Sequence, residues 1–173
     1  LVTTGPTREY LDPVRFISNE SSGVQGYEIA KLLSKSGVKT TLIAGPSDLN
    51  SVLGLKIIKV KTAKEMFNEV KKLLPVDIAV CAAAVSDFKP KDFNPSKIKK
   101  NKKTLKSLEL DKNVDILDYL GKHNRNRPGL VVGFSAETEN LIKNSEEKLR
   151  EKRCDIIVAN DVSKKDFGFN SQY

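Results

Sequence analysis

The sequence is poor in most things that would mark a secreted, membrane-spanning or zinc-held protein. Its 173 residues include two cysteines, Cys81 and Cys154, and one histidine, His123. That is too few for a disulfide framework or a zinc site of ordinary composition. No run of about 18 apolar residues exists, so no membrane span is expected. The opening LVTTGPTREY has neither the charged region nor the apolar stretch of a signal peptide. Such cysteine usage points by default to the cytoplasm. An initiator methionine is also missing, and Leu1 to Thr4 already reads as a strand, so the chain is expected to be a piece of something longer. With no internal repeat, low-complexity tract or flexible linker, one domain over 1–173 is expected.

What the sequence does have is positive charge, 30 Lys and Arg against 22 Asp and Glu, a net of +8. Such an excess raises nucleic acid as a partner. Between Lys89 and Lys112, however, nine lysines face three acids, so this one segment carries +6 and the rest of the chain only +2. A local arm is a different object from a surface-wide field.

Short β-branched runs alternate with amphipathic stretches. Val2 to Thr4, Thr40 to Ala44, Lys56 to Val60, Asp77 to Ala84, Val131 to Phe134 and Ile156 to Ala159 read as strands, and the continuous apolar run at 77–84 suits a central parallel strand. Tyr27 to Leu33 has helical spacing ending at Gly37, Thr62 begins a capping box with Glu65 for a helix through Leu74, and a further helix is expected from about Glu139 to Lys152. The pattern predicts an α/β fold with a doubly wound, mainly parallel sheet. The segment at about 88–112 breaks the rhythm with Pro90, Pro95 and the lysines, and Thr104 to Leu110 alternates like an exposed hairpin. Inserted after a central strand, this basic arm is expected to reach over a crevice at the strand ends.

Several residues have side chains suited to chemistry. Ser21-Ser22-Gly23-Val24-Gln25-Gly26 runs into the first helix, where free N–H groups can hold a phosphate; a capped helix behind a Gly-rich loop fits it equally. Arg15 can clamp a carboxylate or phosphate, and Asn19 can donate and accept, although local hydrogen bonding explains both as well. Ala82-Ala83-Ala84 offers small side chains for a flat base, and Asp87 can take a sugar hydroxyl or magnesium through water; close packing and a cap are the plain alternatives. Phe134 suits base stacking or core. Lys97 and Lys99 share a face if extended, ready to neutralise a triphosphate or to protect an edge. The two cysteines read as inert core, and His123 as part of an exposed loop.

Taken together, these segments resemble the phosphopantothenate–cysteine ligase (phosphopantothenoylcysteine synthetase) family. The resemblance rests on Gly5 to Glu9, Asp12 to Gly26 (DPVRFISNESSGVQG), Ala82 to Asp87, Lys97 to Lys100 (KIKK), Asn113 to Leu117, Gly133 to Thr138 (GFSAET) and Ile156 to Val162 (IIVANDV). It implies a Rossmann-like fold, a homodimer, and a ligase that joins 4′-phosphopantothenate to cysteine in coenzyme A biosynthesis. The intermediate would be an acyl-cytidylate formed from CTP, with Mg2+. It also implies fusion to an upstream decarboxylase, where FMN would belong. By position in the motifs, Asn19 and Lys97 are the expected catalytic residues, and Arg15, Asn19, Ala83 and Ala84 the substrate-binding ones. Ser21, Ser22, Gly23, Ala82, Ala83, Asp87, Lys97, Asn113, Val114, Asp115, Ile116, Phe134, Lys148 and Lys152 are expected around the nucleotide. Magnesium would ride mainly on the triphosphate, with Asp87 as its protein contact.

The chain departs from the family at Val24-Gln25, where Lys-Met is usual, and at Val114, where proline is usual. It is also expected to stop before the family's last strand and helix. Two other classes compete. A nicotinamide-dependent oxidoreductase is disfavoured because G-x-G-x-x-G is absent and Ala44-Gly45 stands where an acid is required. A non-catalytic subunit, or one binding nucleic acid, would bind through the lysine arm; the presence of both Asn19 and Lys97 favours the enzyme, with no nucleic acid and no membrane as partner.

Overall fold

The computed structural model describes residues 1–48, 50, 52–99, 107–123 and 125–163. Six short strands form one parallel sheet: β1 (Val2–Thr4), β4 (Thr41–Ala44), β5 (Lys56–Lys59), β6 (Ile78–Cys81), β9 (Leu130–Glu137) and β10 (Ile156–Asp161). They lie in the order β10-β9-β6-β1-β4-β5. From β1 the chain builds outward through β4 and β5, then crosses back to β6 and builds the other way. The sheet therefore has its topological switch between β1 and β6, the place where open α/β sheets leave a crevice.

Alternation along the strands sends side chains to two cores. Val2, Leu42, Ala44 and Val80 pack with Tyr27 and Ala30 of α1 (Val24–Lys35) on one face. Ile43, Ala79 and Val131 pack on the other with α2 (Ala63–Leu73) and α3 (Ile116–Gly121), and Leu149 of α4 (Leu141–Lys152) joins that side. Thr62 caps α2 as expected, its side chain accepting from Glu65 N at 3.1 Å. The reciprocal arm differs: Glu65 Oε2 accepts from Lys61 N at 2.7 Å, one residue before the cap. A second carboxylate supports the same helix end, since buried Glu9 accepts from Ala63 N at 2.9 Å.

Four expectations are corrected. The strand expected over 77–84 is regular only over Ile78–Cys81, where its pairing with β9 stops, although Ala82 N and Ala84 N go on bonding to Thr3 O (3.2 Å) and Gly5 O (3.0 Å) beside β1. The loop expected after β1 contains an antiparallel hairpin, β2 (Arg8–Tyr10) with β3 (Phe16–Ser18). In the arm, 104–106 lie outside the described residues, and the strand that forms is β8 (Leu110–Lys112), paired with β7 (Phe88–Pro90). His123 is half-buried rather than exposed: its ring meets Tyr119 edge-on at 5.0 Å, and Nδ1 accepts from Asn126 N at 3.0 Å. Among the described residues no helix is long and apolar enough to cross a membrane.

Candidate functional site

A cleft of about 1690 Å³ opens at the carboxyl ends of the central strands. One wall is backbone. Gly23 caps α1 with φ of +76°, and a Cβ there would lie 2.9 Å from Gly5 Cα, so only glycine allows this approach. Thr4 Oγ1 donates to Gly23 O at 2.5 Å and pins the loop to the end of β1. Behind it, Gly26 lets the helix touch Thr4, whose Oγ1 would be 2.6 Å from an added Cβ. Ser21, Ser22 and the first residues of α1 line the cleft, and the first turn of the helix has no acidic side chain. Such an end offers N–H groups and the positive pole of the helix dipole to an anion.

The floor is small and apolar. Ala82, Ala83 and Ala84 line it above Cys81, whose thiol burial pushes up to about 12, so it is inert as a nucleophile. Cys154 is buried and its thiol is also raised by burial. Asn19 stands at the rim, its Nδ2 donating to Val85 O at 3.0 Å and, more weakly, to Ala84 O at 3.4 Å. Both neighbours are carbonyls, so the nitrogen faces them and Oδ1 remains an acceptor with no donor among the described residues. Buried Thr7 ties the two rims: its Oγ1 accepts from Ser86 N at 3.1 Å, and its carbonyl accepts from Ser18 Oγ at 2.8 Å.

The far wall comes from Asn113 to Leu117, Phe134 and α4. Asn113 N donates to Asp87 O at 2.8 Å, and its Oδ1 accepts from Val114 N at 3.0 Å. Asn113 Nδ2 is a buried donor without a partner among the described residues. Asp115 caps α3, accepting from Asp118 N at 2.8 Å, and its other oxygen pairs with Lys152 Nζ at 2.9 Å. That hydrogen bond raises the Lys152 pKa above its ordinary value. Lys148 Nζ donates to Phe134 O at 2.9 Å. No three His, Cys, Asp or Glu side chains gather to hold a metal among the described residues.

The fold thus brings Asn19, Ser21, Ser22, Gly23, Ala82, Ala83, Ala84, Asp87, Asn113, Val114, Asp115, Ile116, Phe134, Lys148 and Lys152 to one cleft. Arg15 and Lys97 do not line it. Arg15 pairs with Asp12 at 3.2 Å, and Lys97 is exposed on the adjoining segment; Lys100 lies outside the described residues. Sequence reasoning passed over Thr4, Thr7 and Asp12, and Ser135, whose hydroxyl lies 2.6 Å from that of Ser145. For Thr4, Thr7 and Asp12 the available signal was a polar residue at a strand end or next to a proline; Ser135, inside β9, gave none.

A parallel sheet in this order, with a Gly-anchored helix N-terminus at its switch point, defines an α/β protein of Rossmann type. The chain belongs to the DNA/pantothenate metabolism flavoprotein C-terminal domain family, whose profile matches residues 1–173. It is 44% identical over 164 residues to the coenzyme A biosynthesis bifunctional protein CoaBC of Borreliella burgdorferi, covering 94% of this chain and 42% of that one. To the CoaBC of Vibrio cholerae it is 42% identical over 174 residues, covering 99% and 43%. The chain therefore spans less than half the length of these relatives. A crystal structure of the C-terminal domain of a CoaBC superposes with a TM-score of 0.79 at 39% identity, covering 92% of this chain and 74% of that one. The fold is also shared, at 19% identity and a TM-score of 0.74, with a Cab2 variant in complex with phosphopantothenate-cysteine, over 94% of this chain and 72% of that one.

Proposed function

We propose that this chain carries the phosphopantothenate–cysteine ligase step of coenzyme A biosynthesis, activating the acid with CTP. The observation that carries the reading is the cleft itself: a helix N-terminus and Gly23 on one side, an alanine floor, and a capped turn with two lysines on the other. Membership of a family whose relatives are named for coenzyme A biosynthesis supports the substrate class.

In this mechanism the carboxylate of 4′-phosphopantothenate attacks the α-phosphorus, an acyl C–O–P link forms, and pyrophosphate leaves. The amine of cysteine then attacks the acyl carbon, the amide forms, CMP departs and the amine loses a proton. The N–H groups at the start of α1, with Ser21, Ser22 and Gly23, hold phosphate oxygens. Ala82, Ala83, Asp87, Asn113 to Ile116 and Phe134 enclose the cytidine. Lys148 and Lys152 share their protons between the carbonyl and carboxylate they already meet and the nucleotide phosphates. Asn19, its amide nitrogen fixed on Val85 O, presents Oδ1 to the incoming amine N–H. Ala83 and Ala84 leave room for the acyl chain, Arg15 serves the phosphopantothenate end, and Lys97 neutralises the departing pyrophosphate. Magnesium would be carried on the triphosphate and lower its charge, and Asp87 would be the residue of this chain to hold it. FMN belongs with a fused decarboxylase half. Exposed Val14, Phe16, Phe88, Phe93 and Leu110 on and beside the two hairpins give a second copy of the chain an apolar surface to cover.

The test uses the full-length protein. With CTP, magnesium and 4′-phosphopantothenate but no cysteine, a burst of pyrophosphate is expected. Absence of any nucleotide-dependent turnover overturns the assignment. A thermal-shift screen of CTP, ATP and NADPH should show the largest rise with CTP, and stabilisation by NADPH alone would favour an oxidoreductase.

A further inference from the structure

Asp12 is fully buried, yet its carboxylate lies outside the cleft described above. All of its hydrogen bonds go to two segments far apart in sequence. Oδ1 accepts from Val14 N at 2.8 Å and Arg15 N at 2.9 Å, closing the turn between β2 and β3. Oδ2 accepts from Ile98 N at 3.1 Å and lies 3.2 Å from Arg15 Nη1. The other end of the same guanidinium, Nη2, donates to Ile98 O at 2.9 Å. Four residues earlier Asn94 N donates to Leu11 O at 2.8 Å.

Ile98 therefore has both main-chain groups satisfied by side chains, the carboxylate taking its N–H and the guanidinium giving to its C=O. In a sheet a neighbouring strand makes that pair of bonds. The Asp12–Arg15 unit acts as a one-residue substitute for such a strand. Ile98 is half-buried while Lys97 and Lys99 on either side are exposed, the alternation that extended backbone produces. Burial pushes the Asp12 carboxyl up, but the N–H groups of Val14, Ile98 and Arg15, with the Arg15 charge, outweigh it and hold the pKa below its ordinary value. The carboxylate is thus charged at neutral pH, as the guanidinium contact requires.

We propose that Asp12 is a positioning residue that latches the lysine segment through Ile98, so that Lys97 is presented in a fixed, extended stretch rather than on a free arm. The function of the presented lysine rests on the ligase reading; the latching does not. The advantage is preorganisation: a cation already in place needs no ordering when the triphosphate arrives.

Asp12→Asn tests it in the full-length protein. The amide keeps the shape and one acceptor for the Val14–Arg15 turn, but sets an N–H donor against the Ile98 N–H or gives up the turn. Trypsin should cut after Lys97 and Lys99 about tenfold faster or more, with the circular dichroism melt still cooperative. Pyrophosphate release should fall about tenfold. On a Lys97→Ala background the same change should add less than about twofold, because both variants remove one function. Independent, multiplying losses, or unchanged cleavage, overturn the latch and indicate a structural role. Should Asp12→Asn not fold, Ile98→Pro deletes the N–H and leaves the carboxylate; it makes the bond after Lys97 resistant to trypsin, so it must reproduce the faster cleavage after Lys99 or the proposal fails. A wild type that releases no pyrophosphate overturns the ligase reading, while cleavage rates still judge the latch.

Discussion

The cleft and the ledge beside it handle charge in opposite ways. Inside the cleft Lys152 and Lys148 are already engaged, with Asp115 and with Phe134 O, and main-chain N–H groups face in at a helix start. On the ledge the lysines project into solvent, and order comes from a single buried carboxylate beneath them. One wall of the cleft is close-packed, with backbone against backbone at Gly5, Gly23 and Gly45. The ledge depends on a few hydrogen bonds between segments more than eighty residues apart. On the proposed ligase reading a triphosphate gains from both: fixed dipoles for the phosphates that stay and a cation for those that leave.

The comparison breaks most sharply at Lys97. Lys97→Ala should lower pyrophosphate release about 10²- to 10³-fold and, as an exposed change, move stability by less than about 0.5 kcal/mol. Both are read from one preparation by a phosphate-coupled assay and urea unfolding. If stability falls as far as activity, the ledge is structural. Gly45→Ala is the converse, since its Cβ would sit 1.8 Å from Pro6 O. It should cost about 3 kcal/mol or more in urea titration, whereas Gly37→Ala, with φ of +81° and open space around it, should cost about 1 kcal/mol.

Smaller effects sharpen the outline. Thr62→Ala removes the cap of α2, far from either region, and should cost about 1 kcal/mol without changing nucleotide affinity. Lys152→Met should cost no more than about 1 kcal/mol, because the pair is partly exposed. Its pKa is raised, so the pair contributes fully below the ordinary lysine value of 10.5 and is lost as pH rises through the higher folded value. The stability gap between wild type and variant should therefore close only above pH 10.5, as unfolding at successive alkaline pH values would record.

Much of the fold was legible because its signals are local. Thr62 and Glu65 lie within one turn, and the periodic runs that became α1, α2, α4 and the six sheet strands each fit inside a short window. The misreadings arose where a local signal was ambiguous. Ala82 to Ala84 is apolar enough to prolong a strand and stays bonded to Thr3 and Gly5 on one side, yet it loses β9 on the other after Cys81. The three-residue strands of the first hairpin and the six-residue α3 are too short for periodicity to reveal. At the cleft, the residue types were readable at Asn19, Gly23 and Asp87. That Arg15 leans on Asp12 and Ile98 was not, because the contact joins parts of the chain that share no pattern.

The sequence by itself determined the alternation of strand and helix, the capping of α2, and the confinement of most of the +8 charge to one segment, since hydrophobic periodicity and capping act within a few residues. Only the tertiary structure decided the strand order that puts the switch beside Gly5 and Ala84, the meeting of α1 with Asn113 and α4 around one cleft, and the latch beneath Lys97. Those depend on which distant groups can close a loop, bury together and satisfy one another's hydrogen bonds, and that choice is made by the whole chain at once.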